Sequence, residues 1–275
     1  MTAPIPSAGA PPGWGDPHGA APEPPPVELA AERPISYVDA VRFGLHSPDL
    51  LMNVVLAVVF SLIPVVGPIV LIGWYTEIFQ RLVKGHPRPV PKLDFGDFSA
   101  YLQRGFPAFA CAMIFAMPVS MGLSLVAGVG MAVAQVSSRS SHDPTPVLVV
   151  LGVVGALSAI VSPVVALFSS AVTVRAELTE DVGQAFKASR IFDYVARTWG
   201  TTLVAFFVMS MLAVGMSLVG LLACGVGVYV ASVVVRLTSV HLGFQIYRLY
   251  LARGGEAVPV KQHDGLPSEA GRSSP

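Results

Sequence analysis

Long apolar runs constrain this chain more than any other feature. They cover residues 49–83, 106–136, 147–174 and 201–251, and each ends at a cluster of charge or a polar turn. A run of about 20 apolar residues crosses a bilayer as a helix, because in lipid each backbone N–H and C=O has to be satisfied within its own segment. Period-2 alternation is absent, which argues against a transmembrane β-barrel. Only 12% of the residues are charged, about half the share of a soluble domain. The fold class read from this pattern is all-α, a polytopic membrane helix bundle.

The breaks in these runs set the helix count. Residues 49–83 are too long for one span, and Ile63-Pro64-Val65-Val66-Gly67-Pro68 interrupts them. Two prolines and a glycine end one helix and begin another. The sequence therefore predicts short helices over 49–63 and 67–84. At 1.5 Å per residue the first is about 22 Å long, so the pair either spans fully or forms a re-entrant hairpin. Ser137-Ser138-Arg139-Ser140-Ser141-His142-Asp143-Pro144 reads as a polar loop between the helices of the second block. In the third block, Leu221 to Gly227 is a weakly marked turn. The result is about six transmembrane helices in three hairpins.

Positive charge orients them. Of the 17 Lys and Arg residues, Arg139 falls in a loop between hairpin helices and Arg236 inside a span. The other fifteen flank the hairpins on the opposite side. Basic residues stay cytoplasmic, so both termini are predicted in the cytoplasm and three hairpins point outward. Each hairpin follows a similar approach, at 35–43, 95–102 and 181–187, the last continuing to Trp199. In the third, Val182, Ala185, Phe186, Phe192 and Trp199 share one face, and Lys187, Arg190, Tyr194 and Arg197 the other. That pattern predicts cytoplasmic amphipathic elbow helices lying on the headgroups.

The ends read differently. Residues 1–34 are rich in proline and lack the apolar core of a signal peptide, so they are expected to be a disordered cytoplasmic tail. Residues 254–275 are expected to be a second disordered cytoplasmic tail, leaving 35–253 as the membrane domain. A formal net charge of +0 offers no field to attract nucleic acid. Cys111 and Cys224 fall near opposite membrane faces, and the six histidines show no ligand spacing. No metal, cofactor or catalytic constellation is expected.

Several stretches carry a family resemblance. They are Asp49-Leu50-Leu51 through Ser61-Leu62-Ile63-Pro64, then Gly73-Trp74-Tyr75, then Pro89-Val90-Pro91-Lys92-Leu93-Asp94-Phe95-Gly96-Asp97-Phe98 with Arg104-Gly105, and the later Ala185-Phe186. Together they resemble the domain-of-unknown-function family numbered 4013, over roughly residues 36–252. Trp74, between Gly73 and Tyr75, departs from the family's pattern. The resemblance implies a multi-pass protein of a bacterial or archaeal cell membrane, and it brings no activity.

Candidate polar sites are few. Arg236 lies inside the last span, and ionisable groups this deep face protein or water. Glu77 and His241 each precede a basic residue, Lys84 and Arg248, by seven positions. Glu77, Arg236 and His241 are therefore expected to form one buried cluster, with Glu77 as the partner of Arg236. Pro118 and Pro163 are expected to kink the two helices of the central hairpin at similar depth. Asp94 and Asp97 are expected to cap a helix beside Ser99. The bilayer is the certain partner of such a chain, and a membrane or cytoplasmic protein is a further one. The sequence favours a non-catalytic envelope scaffold or partner-binding component. A small-solute or ion transporter built on the Glu77–Arg236–His241 level is the alternative, and a membrane-embedded enzyme the second.

Overall fold

The computed structural model describes residues 33–45, 49–141, 145–222 and 226–261. The described residues are helical, with no strand among them. The helices are α1 (Tyr37–Leu45), α2 (Leu50–Ser61), α3 (Val66–Val83), α4 (Phe98–Ser141), α5 (Thr145–Thr179), α6 (Val182–Ala185), α7 (Ala188–Leu222) and α8 (Val226–Ala252). A 3-10 turn, Phe95–Asp97, precedes α4.

The break expected near Pro64 is present. α2 stops at Ser61, α3 starts at Val66, and Val65 between them has φ 63°. That left-handed conformation is strained for a β-branched residue. Gly67 follows because nothing larger fits: a Cβ there would lie 1.7 Å from the Phe60 carbonyl oxygen.

α3 is the axis of the packing, with 14 of its 18 residues buried. A helix apolar on all sides belongs inside a bundle. It crosses α4 at very short range through two glycines. A Cβ on Gly73 would lie 1.8 Å from the Tyr101 carbonyl oxygen, and one on Gly105 would lie 1.9 Å from that of Ile69. Trp74, Phe60, Ile78 and Leu237 fill the core between α2, α3 and α8. A strap, residues 84–94, closes over it. Asn53 fastens the strap, with Nδ2 donating to the Pro91 carbonyl at 3.4 Å and Oδ1 accepting from the Leu93 N–H at 2.8 Å. Asp94 caps the following turn by accepting from the Gly96 N–H at 2.9 Å, so the expected capping role falls to it.

The long helices leave this packed base as apolar arms. α4 has 44 residues, about 66 Å at 1.5 Å per residue, twice the thickness of a bilayer core. Its Gly130 sits against Val150 of α5, and Gly220 of α7 sits against the backbone of Gly227 at the start of α8. These contacts pair α4 with α5 and α7 with α8.

Several expectations change. Among the described residues four helices, α4, α5, α7 and α8, are long and apolar enough to cross a membrane; α1 with α2, bent by 85°, counts as a fifth if it is one broken span. The second helix of the sequence reading, α3, carries Glu77, Gln80 and Arg81 in its last turns and is enclosed by protein. Ser137–Ser141 continue α4 instead of forming a loop, and residues 142–144 lie outside the described ones.

The elbow helices are corrected too. Only the first approach is a separate helix, α1. The second runs directly into α4, and the third, after the single turn of α6, is continuous with α7 beyond Trp199. No proline separates 188–199 from the apolar run that follows, and Gly200 at the junction costs a helix interior only about 1 kcal/mol. Its basic face meets protein: Arg190 pairs with Glu256, and Arg197 with Asp193 and the Arg253 carbonyl. The apolar face is the bare one, with Phe192 61% and Trp199 59% exposed.

Part of the expected second tail is packed against the protein. Residues 254–261 lie along the base, where the Tyr247 hydroxyl accepts from the Val258 N–H at 2.9 Å and the Lys261 N–H donates to Leu178 at 2.9 Å. Residues 1–32 and 262–275, Cys224, and the centre of the 221–227 turn lie outside the described residues. Cys111 is a buried free thiol.

Candidate ligand cavity

Three helices run toward the base side by side and leave a cavity between them. α3, α5 and α8 supply most of its wall, with Ala108 and Ala112 of α4 and Tyr194 of α7 completing it. Its volume is about 280 Å³. On α5, Ser170, Thr173 and Glu177 line it, at spacings of three and four that put them on one face. On α8, Arg236, Ser239, Val240 and Gly243 line it for the same reason.

Glu177 and Arg236 are the two charges in this wall, and they do not touch. Among the described residues neither the Glu177 carboxylate nor the Arg236 guanidinium makes a hydrogen bond or an ion pair within 4 Å. An Arg inside a span costs about 2.5–3.5 kcal/mol on insertion scales when nothing answers it. Arg236 is therefore held at this position facing a cavity, and it is exposed there.

The hydroxyls sort by what they already do. Ser169 and Ser170 donate to the carbonyls of Ala166 and Leu167, at 3.3 and 2.8 Å, so they present acceptor lone pairs to the cavity beside Glu177. Tyr75 and Tyr194 make no hydrogen bond within the described protein and keep their O–H groups for the cavity. Ser239 donates to the Val235 carbonyl at 2.9 Å. Beside Glu177 the base is polar. Gln80 Nε2 donates to the Glu177 carbonyl at 2.7 Å and to Glu180 Oε1 at 3.0 Å, and Lys261 Nζ stands 3.5 Å from Glu180 Oε2.

The three residues expected to form one cluster are separated. Glu77 lies between α3 and α4, where it accepts from Arg81 Nε at 2.5 Å and pairs with Arg104 Nη1. All three are at least 90% buried, so this is a structural tie across the tightest helix crossing in the molecule. His241 faces α1. Its ring stacks on Phe43 at 4.7 Å, and its Nδ1 lies 3.1 Å from Gln245 Nε2. Gln245 in turn holds the start of α1 through Ser36, at 2.7 and 3.0 Å. Five residues turn a helix by about 140°, so Arg236 and His241 cannot share a face. They differ in direction, and by about 7.5 Å along the helix axis as well.

Pro118 and Pro163 stay inside α4 and α5 without ending them, and neither lines the cavity. Pro107 is a second interior proline of α4. Glu177 is the residue that sequence reasoning missed. Its signal is the spacing of Ser170, Thr173 and Glu177, which marks a polar stripe on an otherwise apolar helix. Among the described residues no three His, Cys, Asp or Glu gather as a metal site requires.

The arrangement of α2 to α7 coincides with a known family. A family model described as "Protein of unknown function (DUF4013)" matches residues 56–225. The chain belongs to that family. The matched stretch holds Glu77, Arg104 and Glu177 and ends before α8, so in the DUF4013 segment the cavity has its carboxylate while the guanidinium comes from the helix beyond it. No curated protein and no solved structure matches the chain.

Proposed function

We propose that this DUF4013 protein is a multi-pass protein of a bacterial cytoplasmic membrane that binds a small solute in the cavity between α3, α5 and α8, without covalent chemistry. The observation that supports it is one acid and one base facing the same 280 Å³ space, with no partner for either side chain among the described residues. Ser169 and Ser170 direct their protons to helix carbonyls and away from any base, which suits binding and not nucleophilic attack. In this reading both termini are cytoplasmic, and α2–α3, α4–α5 and α7–α8 are the three hairpins, the first of them re-entrant around the buried α3. The placement of Lys and Arg supports that orientation.

Thiol labelling tests the reading. Thr173→Cys and Ser239→Cys, made in a Cys111→Ala, Cys224→Ser background and held in sealed vesicles, should react with a membrane-impermeant maleimide from one side at least. Labelling from both sides supports transport, and labelling from one side supports a receptor site. If neither position reacts from either side, the cavity is closed to solutes and the proposal fails.

A second reading, a scaffold that docks another membrane protein, is favoured by the bare apolar faces of the arms. Only 6%, 0% and 11% of the most apolar stretches of α4, α5 and α7 are buried. Site-specific photocrosslinking from Leu125 and Leu151 in native membranes distinguishes a protein neighbour from lipid.

A further inference from the structure

We infer that the cavity's ligand is a small zwitterion, carrying a primary ammonium and a phosphate or carboxylate. This rests on the proposal that the cavity binds a solute. The two sides of the cavity are chemically opposite. On α5 the Glu177 carboxylate stands with Ser169 and Ser170, whose protons are engaged on Ala166 and Leu167. That side offers acceptors and negative charge, which suits an ammonium with its three donors. Facing it, Arg236 offers a planar fork of donors that matches a phosphate or carboxylate bidentately. Tyr75 and Tyr194 add free O–H donors.

The gap between the two charges is too wide for direct pairing, since no N···O distance reaches 4 Å. A purely cationic ligand would answer Glu177 and leave Arg236 unanswered. A purely anionic one would do the reverse. A molecule carrying both charges satisfies each and bridges the space. The volume, about 280 Å³, holds about nine waters at roughly 30 Å³ each, or a solute of about ten non-hydrogen atoms. Ile72, Phe79 and Val240 leave room for a short methylene link between the charged ends. The same chemistry occurs in a free phosphoethanolamine-type solute and in the headgroup of an aminophospholipid.

Calorimetry on the full chain in phosphatidylcholine nanodiscs tests this with phosphoethanolamine, ethanolamine and ethyl phosphate. Phosphoethanolamine should bind at least about tenfold more tightly than either half. Glu177→Gln and Arg236→Gln should each weaken it by about tenfold or more, the effect of one charge-assisted hydrogen bond. Lipid analysis of the protein purified from native membranes forms the other arm. Weak binding of the free compound, with phosphatidylethanolamine enriched on the wild type and not on the two variants, assigns the zwitterion to a lipid. The inference is overturned if either half binds as well as the whole, if neither variant changes binding or enrichment, or if neither source binds. Should a charge variant fail to fold by thermal melting, Ala112→Phe fills the cavity without touching its charges. It should abolish binding, and unchanged binding there overturns the inference as well. Labelling at Thr173→Cys reads solute access independently, so an accessible cavity that ignores zwitterions separates this failure from failure of the binding proposal.

Discussion

α3 and the outer half of α5 are both strongly apolar, yet they meet opposite surroundings. Fourteen of the 18 residues of α3 are buried, while none of the most apolar stretch of α5 is. The base around α3 is packed as protein interiors are packed, with backbone against backbone at Gly73 and Gly105. The arms carry Leu125 68%, Ile160 68% and Met211 78% exposed. In water such surface would collapse or aggregate, and in lipid it costs nothing. The lesson is that apolar residues do two unlike jobs in one chain. In the base they specify which helix lies against which, and in the arms they specify only the solvent.

The contrast breaks most sharply at the glycines of the base. Gly73→Val should destabilise by more than about 5 kcal/mol, since the added Cβ meets the Tyr101 carbonyl, which is backbone and cannot swing away. Loss of a cooperative melt in detergent checks it, and a near-wild-type melt would show that α3 and α4 are not locked at this crossing.

Glu77→Ala comes next, at about 3–5 kcal/mol, because it removes the carboxylate that two buried guanidiniums share. Urea or guanidinium titration of the solubilised protein measures it. An effect under about 1 kcal/mol would mean that the tie between α3 and α4 is dispensable.

In the arms the penalty should depend on the surroundings. Leu125→Arg should leave the detergent melt nearly unchanged but cost about 2.5–3.5 kcal/mol in a translocon insertion assay, because it places charge in lipid. A large drop in the detergent melt would instead place Leu125 in a protein interface.

The smallest effect sharpens the comparison most. Gly128→Ala has nothing within 4 Å of the new Cβ. It should shift stability by no more than about 1 kcal/mol, and toward stabilisation, as helix propensity favours Ala over Gly by that amount. Clear destabilisation would show that the arm packs closely against another molecule.

How much of this was legible beforehand varies by residue. The break at Pro64 was, because proline and glycine act locally and need no neighbour. The end of α4 was not. Ser137–Ser141 look like a loop, but serines in a helix donate to their own backbone, as Ser137 does to the Val133 carbonyl at 3.1 Å. The cavity was half legible. Arg236 stands out in any hydropathy scan, whereas Glu177 hides among the charges at the end of α5. Comparing depth along the helices joined Glu77, Arg236 and His241, and direction around them divides the three.

That the chain is helical, that several of its helices suit a membrane, and where its first apolar run breaks can all be read from the residues alone. Those features follow from side-chain transfer energies and from backbone constraints that each residue carries alone. Only the tertiary structure decided that α3 lies inside protein, that Glu77 belongs to Arg81 and Arg104, and that Glu177 faces Arg236. These depend on which helix stands opposite and at what rotation. A turn of 100° per residue moves a charge from one neighbour to another without changing the hydropathy of the segment that carries it.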